Sequence, residues 1–125
     1  MRLLLDTHVL LWLLSDPERL GEAVLAILRG EANDVRVSAA TAWEIAIKKQ
    51  LGKLRAPDDL EAQLVAGHVT VLPITLAHAR LAGSLPTHHR DPFDLMLIAQ
   101  ATIEGLTVVT HDPRFEPYDV PLLMV

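Results

Sequence analysis

Apolar residues along the chain follow two rhythms. Residues 2–5, ending on Asp6, and residues 35–38, 69–72, 106–110 and 120–125 are short runs with few polar interruptions. Such runs are the pattern of strands buried on both faces in a parallel sheet. Between them, apolar positions recur at helical spacing. Residues 7–14 are apolar nearly all round, which predicts a wholly buried helix or one that lends a face to a partner. Ser15-Asp16-Pro17 stops that helix and caps a second, where Leu20, Ala23, Val24, Ile27 and Leu28 share a side and Gly30 closes the end. Ser38 caps a third helix running to about Leu51, ended by Gly52. Pro57-Asp58-Asp59 opens a fourth with Leu60, Leu64 and Val65 inward, and residues 75–85 form a fifth. A sixth begins at Asp91-Pro92, an N-cap followed by a proline where the first helical residue has no use for an N–H. Strands alternating with helices predict an α/β chain: a three-layer α/β/α sandwich on a mainly parallel sheet, one domain spanning residues 1–125.

Composition narrows the function classes. With 125 residues, half of them hydrophobic, the chain builds a core without covalent staples. It has no cysteine, which excludes disulfides, zinc–thiolate sites and thiol nucleophiles and fits a reducing cytoplasm. No apolar run approaches the ~20 residues of a membrane span, and the N-terminus lacks a basic segment followed by a cleavable apolar one. A cytoplasmic protein without a membrane partner is expected. The net charge of −5 argues against indiscriminate nucleic-acid binding. It leaves room for a nucleic-acid enzyme whose acids are neutralised by a bound metal.

The candidate chemistry is carboxylate chemistry. Asp6 and Asp112 each stand just beyond the carboxyl end of a predicted strand, the active edge of a parallel sheet. Asp94 falls at the third position of the sixth helix, one turn in from its cap Asp91. Glu44 lies on the border of the buried stripe of the third helix, where an i,i+4 salt bridge to Lys48 is an equally good local explanation. Carboxylates gathered in one cleft cannot all stay ionised without a counter-charge. A divalent cation supplies it, and hard oxygen ligands fit Mg²⁺ or Mn²⁺. Lys48, Lys49, Lys53 and Arg55 form the most basic segment. The adjacent His88 and His89 cannot share a helical face and read as loop or substrate-facing residues, or as plain surface histidines, rather than a metal pair.

These motifs, taken together, resemble the PIN-domain family, and within it the VapC-type toxins of type II toxin–antitoxin pairs. The matching pieces are Leu5-Asp6-Thr7-His8; Ser38 with Trp43-Glu44-Ile45; Lys48 through Gly52-Lys53-Leu54; Arg90-Asp91-Pro92-Phe93-Asp94 with Leu97-Ile98-Ala99-Gln100-Ala101; and Thr110-His111-Asp112-Pro113-Arg114-Phe115. They span almost the whole chain in the expected order. The resemblance implies a metal-dependent endoribonuclease with Asp6, Glu44, Asp94 and Asp112 as its acidic quartet and metal site, inhibited by a cognate antitoxin and homodimeric. Thr7, Lys48, Arg90 and Thr110 are the candidates for contacting RNA, and Asp91 for the helix cap. Leu95 departs from the arginine that often follows the aspartate in this subgroup, which removes a basic side chain and leaves the acids in place. Two rival readings carry testable differences. A haloacid-dehalogenase-like phosphohydrolase would use Asp6 as nucleophile but wants a second aspartate where this chain has His8. A catalytically inert interaction module would cleave no RNA.

Overall fold

The computed structural model describes residues 1–125 and contains one five-stranded sheet, all of whose neighbouring strands are parallel. Its strands are β1 (Arg2–Leu5), β2 (Asp34–Ser38), β3 (Thr70–Leu72), β4 (Thr107–Thr110) and β5 (Leu122–Met124), in the order β3-β2-β1-β4-β5. The helices are α1 (Thr7–Ser15), α2 (Glu22–Arg29), α3 (Ala39–Gln50), α4 (Leu60–Ala66), α5 (Leu76–Ser84) and α6 (Pro92–Glu104). The chain starts at the centre of the sheet, winds outward through β2 and β3, and then crosses back to lay β4 and β5 on the other side of β1. Strand order therefore reverses between β1 and β4, and a crevice opens at their carboxyl ends.

Side chains on β1 alternate between two cores, as the pleat requires. Leu3 and Leu5 pack with Val35, Val37 and Val109 against α1, α2, Ile45 of α3 and Leu64 of α4. Leu4 packs with Leu72 and Val108 against Leu97, Ile98 and Ala101 of α6 and against Phe115. All three β1 leucines are fully buried, so this strand is covered on both faces, as its unbroken apolar run predicts. Gly105 ends α6 in the left-handed region, at φ 68°, where a side chain would be strained.

Two local expectations are corrected, and one pair of alternatives is decided. The second predicted helix is split: Pro17–Leu20 forms a short 3₁₀ turn, and Gly21 at φ 79° redirects the chain before α2 begins. Leu60 and Leu64 of α4 do turn inward, but Val65 is 75% exposed, because a residue next to the inward Leu64 points well away from the core. Of the two readings of α1, burial within the chain holds, with Trp12, Leu13 and Leu14 left partly exposed. Val9, Leu10 and Leu11 are buried, and Trp12, Leu13 and Leu14 pack against the same core, with Leu20 folding back onto it. No helix is long and apolar enough to cross a membrane.

Candidate active site

The crevice at the strand-order reversal is a cleft of about 460 Å³ lined by five acids: Asp6, Glu44, Asp91, Asp94 and Asp112. Asp6 is the first residue beyond β1 and the N-cap of α1. Its Oδ1 accepts the Thr7 backbone N–H at 2.6 Å, and its Oδ2 accepts the Thr110 hydroxyl at 2.7 Å. Its own N–H donates to Val109 O at 2.9 Å, extending the β1–β4 ladder by one rung. The carboxylate is thus clamped between the start of α1 and the end of β4. Burial pushes its pKa up, against the opposing pull of these hydrogen bonds.

Asp112 enters from the end of β4. The Thr110 hydroxyl that donates to Asp6 also accepts the Asp112 N–H at 3.0 Å, so one side chain sets the spacing of two acids. Arg114 grips the Asp112 carboxylate with two parallel bonds, Nε to Oδ1 at 3.1 Å and Nη2 to Oδ2 at 2.8 Å. That guanidinium is the main reason its pKa lies below the usual carboxylate range.

Glu44 is buried, at 4% exposure, although α3 carries it in from outside the sheet. Its Oε1 accepts the Thr7 hydroxyl at 2.5 Å and its Oε2 accepts Lys48 Nζ at 2.5 Å. The i,i+4 ion pair and the place in the cleft are therefore one arrangement rather than alternatives. Hydrogen bonding to Glu44 is the leading cause that raises the Lys48 pKa.

Asp91 and Asp94 divide roles within one turn of α6. Asp91 Oδ1 accepts the Phe93 N–H at 2.9 Å and the Asp94 N–H at 3.4 Å, the geometry of a side-chain cap. Asp94 points into the cleft, where burial first, and then the charges of Asp6, Asp91, Glu44 and Asp112, push its pKa up to about 8.

His89 is where the structure departs most from the reading of its loop. It is 2% exposed and its Nε2 lies 2.6 Å from Asp94 Oδ2 and 3.8 Å from Asp112 Oδ2. Its Nδ1 is 3.4 Å from the Asp91 N–H, a donor, which leaves the proton on Nε2 to be donated to Asp94. Phe115 packs edge-on against the ring, and the Tyr118 hydroxyl accepts the His89 backbone N–H at 3.0 Å while donating to Pro86 O. The loop turns His89 inward because these partners lie far off in sequence, so the polar segment shows no sign of them. Its one local signal is position: two residues before an N-cap, a ring can fold back onto the first helical turn.

Of the candidates for RNA contact, Lys48 lines the cleft, whereas Thr7 and Thr110 are buried and spend their hydroxyls on Glu44 and Asp6. Arg90 is exposed and does not line the cleft. Of the cleft acids, Glu44 and Asp112 each hold a cation, Lys48 and Arg114, while Asp6 and Asp94 hold none. Burial, and then the neighbouring acid charges, raise the pKa of Asp94. Carboxylate oxygens are a donor set that fits a hard divalent ion. Asp94 and Asp112 each offer a ligand oxygen within 4.8 Å of the other and of the His89 ring, whose Nε2 proton orients Asp94.

The chain has known relatives in sequence and in fold. The sequence matches the PIN domain family over residues 3–121. It is 31% identical to Ribonuclease VapC22 of Mycobacterium tuberculosis over 121 residues, 94% of this chain and 92% of that one. Among solved structures, VapBC2 from Rickettsia felis bound to a DNA fragment from its promoter superposes with a TM-score of 0.74 at 16% identity, covering 99% of this chain and 98% of that one. FitAcB from Neisseria gonorrhoeae gives 0.62 at 26% identity, covering 97% and 96%.

Proposed function

Because the chain belongs to the PIN-domain family and groups with its VapC-type ribonucleases, we propose that the cleft holds Mg²⁺ or Mn²⁺ through Asp6, Asp94 and Asp112 and cuts RNA there. The protein is an endoribonuclease toxin that is paired with a cognate antitoxin. The observation that carries the site assignment is the convergence of four acids from β1, α3, α6 and the end of β4 on one cleft with too few cations to balance them. Held there by Asp6, Asp94 and Asp112, a divalent ion would supply a water of lowered pKa and positive charge for the phosphoryl oxygens.

The remaining work falls to the chain's own groups. Glu44, fixed between Thr7 and Lys48, is placed to take the proton of the attacking water. Thr110 keeps Asp6 and Asp112 at a set separation, and His89 orients Asp94 by donating to its Oδ2. The Arg114 and Lys48 ion pairs keep the outer acids from drifting into solvent. We place this activity in the cytoplasm.

The test is cleavage of defined RNAs by the purified chain with Mg²⁺, with Mn²⁺ and with EDTA, beside an Asp6→Asn control. Cleavage that needs the ion and disappears in the control is expected. Undiminished cleavage in EDTA, or full activity of Asp6→Asn, refutes the assignment.

A further inference from the structure

We propose that Arg114 is a built-in counter-ion of the acidic cleft: it holds Asp112 until a divalent ion displaces it, and its released guanidinium then takes a phosphate of the RNA. That role rests on the ribonuclease reading and adds to it a residue that passes from acid to substrate.

The guanidinium covers the oxygens of Asp112 that an ion would use. Its Nε lies 3.1 Å from both of them and its Nη2 2.8 Å from Oδ2, so neither oxygen is free of it. Oδ1 also accepts the Arg114 backbone N–H at 2.9 Å, which fills its two lone pairs. A guanidinium and a divalent ion on one carboxylate repel each other, so the two compete for Asp112.

Arg114 is also placed to leave. It sits in the short 3₁₀ turn Pro113–Phe115, which Asp112 caps and which Phe115, fully buried, anchors in the core. The backbone bond to Oδ1 survives when the side chain swings away, so the acid keeps its place. The Arg114 side chain is 65% exposed, and an ion pair so open to water is held weakly. Lys48, the other cation lining the cleft, differs. Its partner Glu44 is also fixed by Thr7 and is not among the proposed ion ligands, so an incoming ion has no need of the oxygen that Lys48 holds. Displacement therefore frees Arg114 and leaves Lys48 in place. An RNA strand brings more negative charge into a cleft already lined by five acids. A guanidinium fork fits phosphate oxygens as it fits those of a carboxylate. Tethered two residues from Asp112, the freed group stays at the cleft wall where the phosphate arrives.

The experiment measures the Mn²⁺ affinity of the RNA-free protein by calorimetry for wild type, Arg114→Gln and Lys48→Gln, with thermal unfolding as the check of the fold. Arg114→Gln should bind Mn²⁺ about fivefold tighter than wild type, the ratio expected when an exposed ion pair no longer competes. Lys48→Gln should gain less. In wild type the Arg114 Nε–H, followed by NMR, should exchange with water faster once Mg²⁺ is added. At saturating Mn²⁺ the KM of Arg114→Gln for a short RNA should rise about tenfold, with kcat changed less. An unchanged or weaker Mn²⁺ affinity of Arg114→Gln, an equal gain in Lys48→Gln, or an Nε–H as protected with Mg²⁺ as without it overturns the displacement and leaves ion-dependent cleavage standing. An unchanged KM overturns the phosphate contact. If wild type cuts no RNA with either ion, the ribonuclease reading falls, and the affinities and the Nε–H exchange still decide the displacement. If no chain binds Mn²⁺, both fall. Should Arg114→Gln fail to fold, the Nε–H exchange in wild type decides.

Discussion

Asp91 and Asp94, three residues apart, act on the folded chain with opposite sign. Asp91 caps α6 through bonds to the Phe93 and Asp94 N–H groups, so Asp91→Ala should destabilise the protein by about 1 kcal/mol in EDTA. Asp94 is an acid held among acids, so Asp94→Asn should leave the metal-free protein unchanged or more stable and abolish most of the stabilisation that added Mg²⁺ or Mn²⁺ provides. Thermal unfolding of both variants with EDTA and with excess ion tests the pair. The reverse pattern would mean that Asp91 is the ligand. The same acid sets a pH dependence. Its folded-state pKa is raised from 3.8 to about 8, so it binds its proton more tightly folded than unfolded. That contribution is fully present below the lower value and is lost as pH rises through the upper one. In EDTA, wild-type stability should therefore fall across this window, and Asp94→Asn should show a much shallower decline. The raised Asp6 adds a slope of the same sign. The lowered Asp34, Asp58 and Asp112 act in the opposite sense, below the usual carboxylate range. A wild-type curve that rises with pH in EDTA contradicts the assignment.

Helix α6 and the loop before it work as one element because of Tyr118. Its hydroxyl joins Pro86 O to the His89 N–H, and His88 packs edge-to-face on its ring at 5.5 Å. Tyr118→Phe keeps the ring, removes both hydrogen bonds and leaves a buried N–H unpaired, so it should cost about 1–3 kcal/mol. The loss should be local: amide exchange should quicken at residues 87–91 and stay slow in β1. Because His89 also orients Asp94, the variant should lower kcat more than it raises KM. Uniformly faster exchange across the sheet would show that Tyr118 only packs the core.

For the whole molecule, the placement of exposed apolar residues decides where a second copy can join. Helix α1 is satisfied within the chain, whereas Val65, Val71 and Leu76, at 75%, 44% and 75% exposure, lie on or beside the edge strand β3. An open strand edge flanked by apolar side chains is a surface that associates. We expect a homodimer that uses this side, which leaves the acidic cleft at the carboxyl ends of β1 and β4 free for RNA. Sedimentation should show a dimer for wild type and a shift toward monomer for Val65→Glu combined with Leu76→Glu. A monomeric wild type at high concentration refutes the homodimer. A dimer indifferent to both substitutions moves the interface elsewhere.

The layered α/β architecture and most elements were legible in the order of residues, because burial on two faces demands unbroken apolar strands and a helical period marks each covering layer. The acids at strand ends were legible for the same reason: Asp6 and Asp112 fall where an apolar run stops, and Asp94 where a cap and a proline place the third helical residue. What the sequence could not show depends on groups distant along the chain that meet only after folding. Residues 17–29 read as one helix because apolar spacing carries no record of the left-handed backbone at Gly21. His89 read as a surface residue because Tyr118 and Phe115, which turn it inward, lie 29 and 26 positions away. Thr110 reaches Asp6 across 104 residues, and Thr7 reaches Glu44 across 37. Local pattern fixes which face of an element is buried, but the pairing of polar side chains within that interior is decided by the tertiary fold, which brings β1 beside β4 and packs α3 against α1 and α6.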